Sequence, residues 1–279
     1  MLEYFLAPFL DYAFLRRALI ATLAISLSCA PIGVLLILRR MSLMGDALSH
    51  AVLPGIAIGY LITGLWLPAL SAGGLIAGLL VAIAGGLVSR HTILTEDASF
   101  TGFYLIALAL GVLILSVYGG QMNLLHLLFG SVLAVDTSNL VFIAFTTSLT
   151  LFIIAFIYRP LIYECFDPLF MRIASSRAML LHLIFLALVV MNLVAACQAI
   201  GTLMALGMMM LPAITARLWA KQVWSLFLLA IIFAIVASYC GLLFSYHYNW
   251  PSGPTIVLMG GVLYIASLLC IARTRVSFN

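Results

Sequence analysis

The sequence predicts an all-α integral membrane protein: a polytopic bundle of eight to nine transmembrane helices, with a short re-entrant helix and a further helix in a cytoplasmic connection. Composition points there first, since 66% of the 279 residues are hydrophobic and 7% are charged, against about 25% charged in water-soluble domains. The mean hydropathy of +1.29 agrees. The apolar stretches also run long enough to cross the hydrocarbon as helices of about 20 residues, without the alternating segments of about ten residues that mark an outer-membrane barrel. Soluble enzymes, nucleic-acid binders and secreted modules are excluded classes. The whole chain, 1–279, reads as one transmembrane domain.

Taken in order between polar breaks, the apolar runs place spans at 18–38, 48–65, 69–89, 101–118, 138–157, 179–197, 201–219, 223–246 and 255–272. Glu3 and Asp11 precede Arg16 and Arg17, and no small-residue cleavage site follows a short apolar core, so the first segment is expected to stay in place rather than be removed as a signal peptide. Arg39 and Arg40, Arg90, Arg159 with Arg172 and Arg177, Arg217 with Lys221, and Arg273 with Arg275 fall on alternate connections. Positive residues collect on the cytoplasmic side, which puts the C-terminus inside. Arg16 and Arg17 break the alternation and would need an extra or re-entrant segment to join that side. The net charge of +4 comes from these segment ends and implies no polyanion partner. The five cysteines, Cys29, Cys165, Cys197, Cys240 and Cys270, show no CxxC spacing and read as small apolar residues.

Two stretches differ from plain spans. Residues 121–137 are apolar but too short to cross and end at Asp136, so they are expected to dip back toward the bundle as a re-entrant helix. Residues 158–178 form the longest polar connection, with Arg159, Glu164, Asp167, Arg172 and Arg177 around Phe166, Leu169, Phe170 and Ile173. That amphipathic pattern fits either docking on a soluble partner or a helix lying on the bilayer surface. The halves on either side share an Ile-Gly pair followed by an apolar run, at 32–33 and 200–201, a faint sign of the internal repeats that transporter folds use.

An ionisable side chain inside a membrane helix costs roughly 2.5–3.5 kcal/mol even on a lenient insertion scale, so each one needs a reason. Asp46 and His50 stand at i and i+4 in MSLMGDALSHAVLPG, which puts them on one helical face about 5–6 Å apart at Cβ. A carboxylate and an imidazole together suit manganese, iron or zinc, and no thiolate is present to favour copper(I). A plain Asp–His hydrogen bond near a helix end is the alternative. Two donors make an incomplete metal site, which a second copy of the chain could complete by symmetry. Pro54 removes a backbone donor one turn later and allows the helix to bend. His247 sits among Tyr246, Tyr248 and Trp250 as part of an interfacial belt, with a landing surface for a substrate donor as the second reading. His91 and His182 read as interfacial, and His126 as a minor pathway candidate. Met204, Met208, Met209 and Met210 read as packing rather than a soft-metal ladder, and Pro212 as a bend. Lys221 is the sole lysine and no Gly-x4-Gly-Lys-Ser/Thr motif occurs, so ATP chemistry would need a separate subunit.

The block RRMSLMGDALSHAVLPG at 39–55 resembles the permeases of the ABC-type manganese, zinc and iron importer family, and LFGSVLAV (128–135), FDP (166–168), IGTLMALGMMMLPAITARL (200–218) and PSGPTIVL (251–258) are similar to that family's later landmarks in order. The resemblance implies the permease subunit of an ATP-driven importer in the bacterial cytoplasmic membrane, moving a divalent first-row metal ion. It implies no intrinsic cofactor and no enzymatic activity of the chain's own. The implied partners are a pair of ABC ATPase subunits, an extracytoplasmic metal-binding protein, a second copy of the chain and membrane lipid. Asp46 and His50 would then be the transient metal ligands, and Phe166, Asp167 and Pro168 would belong to a coupling helix against the ATPase. After FDP this chain carries LFMRIASS where the family has an acidic or Ala-rich turn and a glycine. The residues alone leave a second class open, a proton-coupled secondary carrier in which Asp46 and His50 relay protons.

Overall fold

A computed structural model describes residues 8–9, 11–64, 66–93, 95–118, 135–166 and 178–276. Its elements are α1 (Ala13–Leu38), α2 (Met44–Ala51), α3 (Leu53–Thr63), α4 (Leu67–His91), α5 (Glu96–Tyr118), α6 (Thr137–Phe166), α7 (Ala178–Ile200), α8 (Thr202–Trp219), α9 (Val223–Tyr248) and α10 (Ser252–Val276). Among the described residues nine helical stretches are long and apolar enough to cross a membrane, α2 and α3 together making one of them. Each coincides with a span read from the sequence, and four of them begin three to five residues earlier.

Proline decides where two of these helices deviate. In an unbroken helix the N–H of residue 54 would bond to the carbonyl of residue 50; Pro54 has no N–H, and the helix divides at Val52, whose N–H bonds to the His50 carbonyl instead. Val52 itself keeps helical dihedrals (φ −74°, ψ −24°), so the interruption is confined to one residue. At Pro160 the outcome differs from expectation. Residues 158–166 are helical and continue α6 beyond a kink at Ile157 (φ −103°, ψ 18°). A proline breaks the ladder only toward the turn before it, so the chain re-enters helix with Pro160 in a tolerated first-turn position. Of the amphipathic connection expected at 158–178, the described part is helical, and Glu164 and Cys165 within it are buried.

The described residues fall into two compact units. One contains α8, α9 and α10, which pack on one another, with most of α1 and the ends of α6 and α7. Small residues let these helices approach: a Cβ at Gly33 would run into the Met209 carbonyl, and one at Gly241 would lie 2.5 Å from the Ile256 Cα. Hydroxyls serve as polar contacts in this apolar interior. Ser26 and Ser238 are 3.3 Å apart, Ser238 donates to Met208 Sδ at 3.4 Å, and Thr147 donates to the Ala24 carbonyl at 3.1 Å. Met204, Met208 and Met209 are buried here as packing residues. Gly201, at φ 88°, ends α7 in a conformation that side chains disfavour and allows α8 to start at once.

The second unit holds α2 to α5 with the remainder of α6 and α7. Helices α3 and α4 meet backbone to backbone at Gly55 and Gly73. Gly111 of α5 comes against Pro54, where an added Cβ would lie 2.9 Å from the proline nitrogen. Asn192 of α7 donates to Thr150 Oγ1 of α6 at 2.7 Å, satisfying an amide that the hydrocarbon could not. The expected re-entrant helix at 121–137 falls almost wholly outside the described residues, as does His126; Asp136 is described and accepts from the Thr137 N–H at 2.7 Å, capping α6.

Candidate functional site

Helix α2 is short, and its residues Met44, Gly45, Ala47, Leu48, Ser49 and Ala51 are all buried. Asp46 and His50 alone give it a polar stripe. The i, i+4 spacing brings His50 Nε2 to 3.6 Å from Asp46 Oδ1, with side-chain exposures of 28% and 57%. That separation is just beyond hydrogen-bond range and within ion-pair range. It matches a shared ligand: two donors each about 2.1 Å from a tetrahedral metal stand about 3.4 Å apart. Placement in the helix also helps, with the carboxylate in the first turn and the imidazole in the last, each favoured by the helix dipole. His50 Nδ1 is buried and has no hydrogen-bond partner among the described residues. The pair stays at two donors, since among the described residues no group of three or more His, Cys, Asp or Glu side chains is placed to hold a metal ion.

Of the residues expected to contact an ATPase, Phe166 is described and is 61% exposed at the end of α6. Asp167 and Pro168 lie outside the described residues. His247 is on α9 within a run of ring contacts: Tyr246–His247 edge-on at 5.3 Å, Tyr248–Trp250 at 5.3 Å and Tyr12–Tyr246 at 5.7 Å. The aromatic residues grouped in the sequence are thus in mutual contact. The side chain of His91 is outside what is described.

One group of residues escaped the sequence reading. His182, expected at an interface, is 2% exposed, and it meets Arg39 and Glu164, which are buried with it. The correction has a simple cause. Each of the three sits at the polar end of an apolar run, where hydropathy alone assigns it to the water interface, and only tertiary contact brings them together. Arg39 Nη2 is 3.1 Å from Glu164 Oε1, Nη1 is 2.9 Å from His182 Nδ1, and Nε donates to Cys165 Sγ at 3.4 Å. The guanidinium lies over the Phe185 ring, 4.1 Å from its centroid. Cys29, Cys165 and Cys197 are buried.

Comparison with known proteins fits this layout. The model of the ABC 3 transport family matches residues 11–271. The manganese transport system membrane protein MntC of Halalkalibacterium halodurans is 35% identical over 264 residues, covering 94% of this chain and 89% of that protein. The chelated iron transport system membrane protein YfeD of Yersinia pestis is 29% identical over 263 residues, covering 92% and 86%. A solved structure, PsaBC from Streptococcus pneumoniae in complex with Fab, superposes with a TM-score of 0.82 at 31% identity, over 96% of this chain and 95% of that one. With a family model spanning nearly its full length and its helices arranged as in a solved relative, this chain belongs to the ABC 3 transport family.

Proposed function

We propose that the chain is the permease subunit of an ATP-driven importer that carries a divalent first-row metal ion across the bacterial cytoplasmic membrane, with Asp46 and His50 as transient ligands of the cargo. The observation that carries the reading is the 3.6 Å Asp46–His50 pair on an otherwise buried helix of an ABC-family membrane protein. The donor set accepts manganese, iron or zinc, and the names of the relatives favour manganese or iron. A second copy of the chain would supply further ligands across a symmetric dimer, raising two donors to four. An extracytoplasmic metal-binding protein would deliver the ion, and a pair of separate ATPase subunits would supply the energy, since this chain carries no P-loop lysine motif.

The test is uptake by the assembled transporter in proteoliposomes. Import that requires ATP on the ATPase side and survives a proton ionophore supports the reading. Import without ATP that collapses with the ionophore replaces it by a proton-coupled carrier.

The docking of the ATPase is testable separately. An exposed Phe166 at a helix end, next to Asp167 and Pro168, offers an apolar anchor beside a charge, the composition of a small interface hot spot. Phe166→Ala combined with Asp167→Lys is expected to release the ATPase from detergent-solubilised complex. Co-purification at the native ratio would reject the assignment.

A further inference from the structure

We propose that Arg39, Glu164 and His182 form a buried ionic joint that ties the ATPase-facing end of the protein to the helix carrying Asp46 and His50, and that it sets how much metal moves per ATP. This rests on the permease reading above. The three residues come from three places in the chain. Arg39 opens the connection that leads directly into α2; Glu164 lies in the last turn of α6, just ahead of Phe166; His182 lies in the first turns of α7. The two helix ends therefore bracket the segment proposed to dock the ATPase, and Arg39 stands at the base of the metal-carrying helix.

The chemistry makes Arg39 the pin. A guanidinium only donates, so His182 Nδ1, 2.9 Å from Nη1, must accept, and the ring proton sits on Nε2. That proton faces Glu96 Oε1 at 3.9 Å, at the start of α5. Nε donates to Cys165 on α6 and Nη1 to His182 on α7, Nη2 pairs with Glu164 as a charge contact without a hydrogen bond, and Phe185 takes the face. The exposures of the Arg39, Glu164 and His182 side chains are 6%, 3% and 2%. A planar fork held on two helices at once cannot follow one of them without leaving the other, and a lysine would hold only one partner. The cation also occupies the place between Glu164, Cys165 and His182 that a metal ion would need, so the group is no second metal site.

The backbone supplies an independent sign. Arg40, the next residue, has φ 59°, a left-handed conformation that a non-glycine residue holds only where its surroundings impose it. The turn from Arg39 into α2 is therefore fixed from outside itself, and the buried fork beside it is the fixing contact. Buried ion pairs are poor sources of stability compared with apolar packing, and their best-attested use is to fix one arrangement against another. Here the arrangement fixed is that of α2 relative to the ends of α6 and α7, an element that both the ATPase and the metal would bias. Arg39, Glu164 and His182 are positioning residues, acting on the metal through α2.

The experiment uses the complete transporter of permease, ATPase and metal-binding protein in proteoliposomes, measuring manganese imported and ATP hydrolysed in the same vesicles. Glu164→Gln is expected to keep the ATPase at the native ratio and to go on hydrolysing ATP, while manganese moved per ATP falls at least tenfold. Arg39→Lys should lower the same quotient by a smaller factor, and Glu164→Asp should restore part of it. A purely structural role would reduce the amount of active complex and lower hydrolysis and import together, leaving the quotient at the wild-type value; that result overturns the proposal. Should Glu164→Gln lose the assembled complex, Arg39→Lys carries the same comparison, and an unchanged quotient there overturns it equally. The parent reading fails in a different way, through a wild-type transporter that imports without ATP or an Asp46→Asn variant that imports normally.

Discussion

Asp46→Asn and His50→Ala are each expected to abolish metal import while leaving the protein folded and bound to its ATPase. The two side chains are the only polar groups on the faces of α2 that its packing leaves open, and each is half of a two-donor set. Asparagine keeps the shape of the carboxylate but removes the charge that would offset a dication in an apolar surrounding, and alanine removes the imidazole altogether. Structural cost should be small. Asp46 is 57% exposed and sits beyond hydrogen-bond range of His50, and surface substitutions away from special features stay within about 0.5 kcal/mol. The measurement is ATP-dependent uptake beside expression level and co-purified ATPase. A loss of import of at least tenfold with both controls unchanged places the two residues on the cargo path. Normal import in both variants removes the metal site from α2 and leaves the pair as ordinary interfacial polar residues.

The membrane spans were legible because the signal for a transmembrane helix is local: a run of apolar residues of sufficient length needs no tertiary partner to be recognised. The break at Val52 was legible for the same reason, since a proline removes a specific backbone donor wherever it falls. The candidate pair was legible because i, i+4 geometry fixes two side chains on one face before any packing is known. The extension of α6 beyond Pro160 was not, because whether a helix resumes after a proline depends on what the next turn can bury, here Leu161, Glu164 and Cys165. Glu164 read as a solvated charge for want of its partner. Arg39 and His182 are distant from it along the chain, and no periodicity links three polar side chains that meet only after α6 and α7 have packed. The close approach of α3 and α4 lay between these cases: Gly55 and Gly73 were visible as small residues, but their pairing was not.

Gly55→Ala is expected to be among the most damaging single-methyl changes in the protein. A Cβ at Gly55 would collide with the Gly73 carbonyl and lie 2.7 Å from the Ala77 Cβ, and a Cβ at Gly73 would strike the Gly55 carbonyl in return. The obstruction is backbone, which cannot rotate away as the end of a side chain can, so α3 and α4 must move apart. Between membrane helices the close approach is itself the source of attraction, because lipid replaces any hydrophobic drive to associate. Separation therefore loses dispersion contacts along the whole crossing, and overpacking of this kind costs about 1–3 kcal/mol or more. Helix propensity runs the other way, alanine being favoured over glycine by about 1 kcal/mol, which makes Gly102→Ala on α5 the proper control. A Cβ at Gly102 meets nothing within 4 Å. In detergent, Gly102→Ala should keep or raise the thermal midpoint of the monodisperse protein, whereas Gly55→Ala should lower it by several degrees and Gly55→Leu should prevent recovery of folded protein. Because α3 follows α2 through Val52, the displacement should also reach Asp46 and His50, so whatever Gly55→Ala protein survives should import metal more slowly per folded molecule. Equal midpoints for Gly55→Ala and Gly102→Ala would mean that the two helices are not held at this crossing.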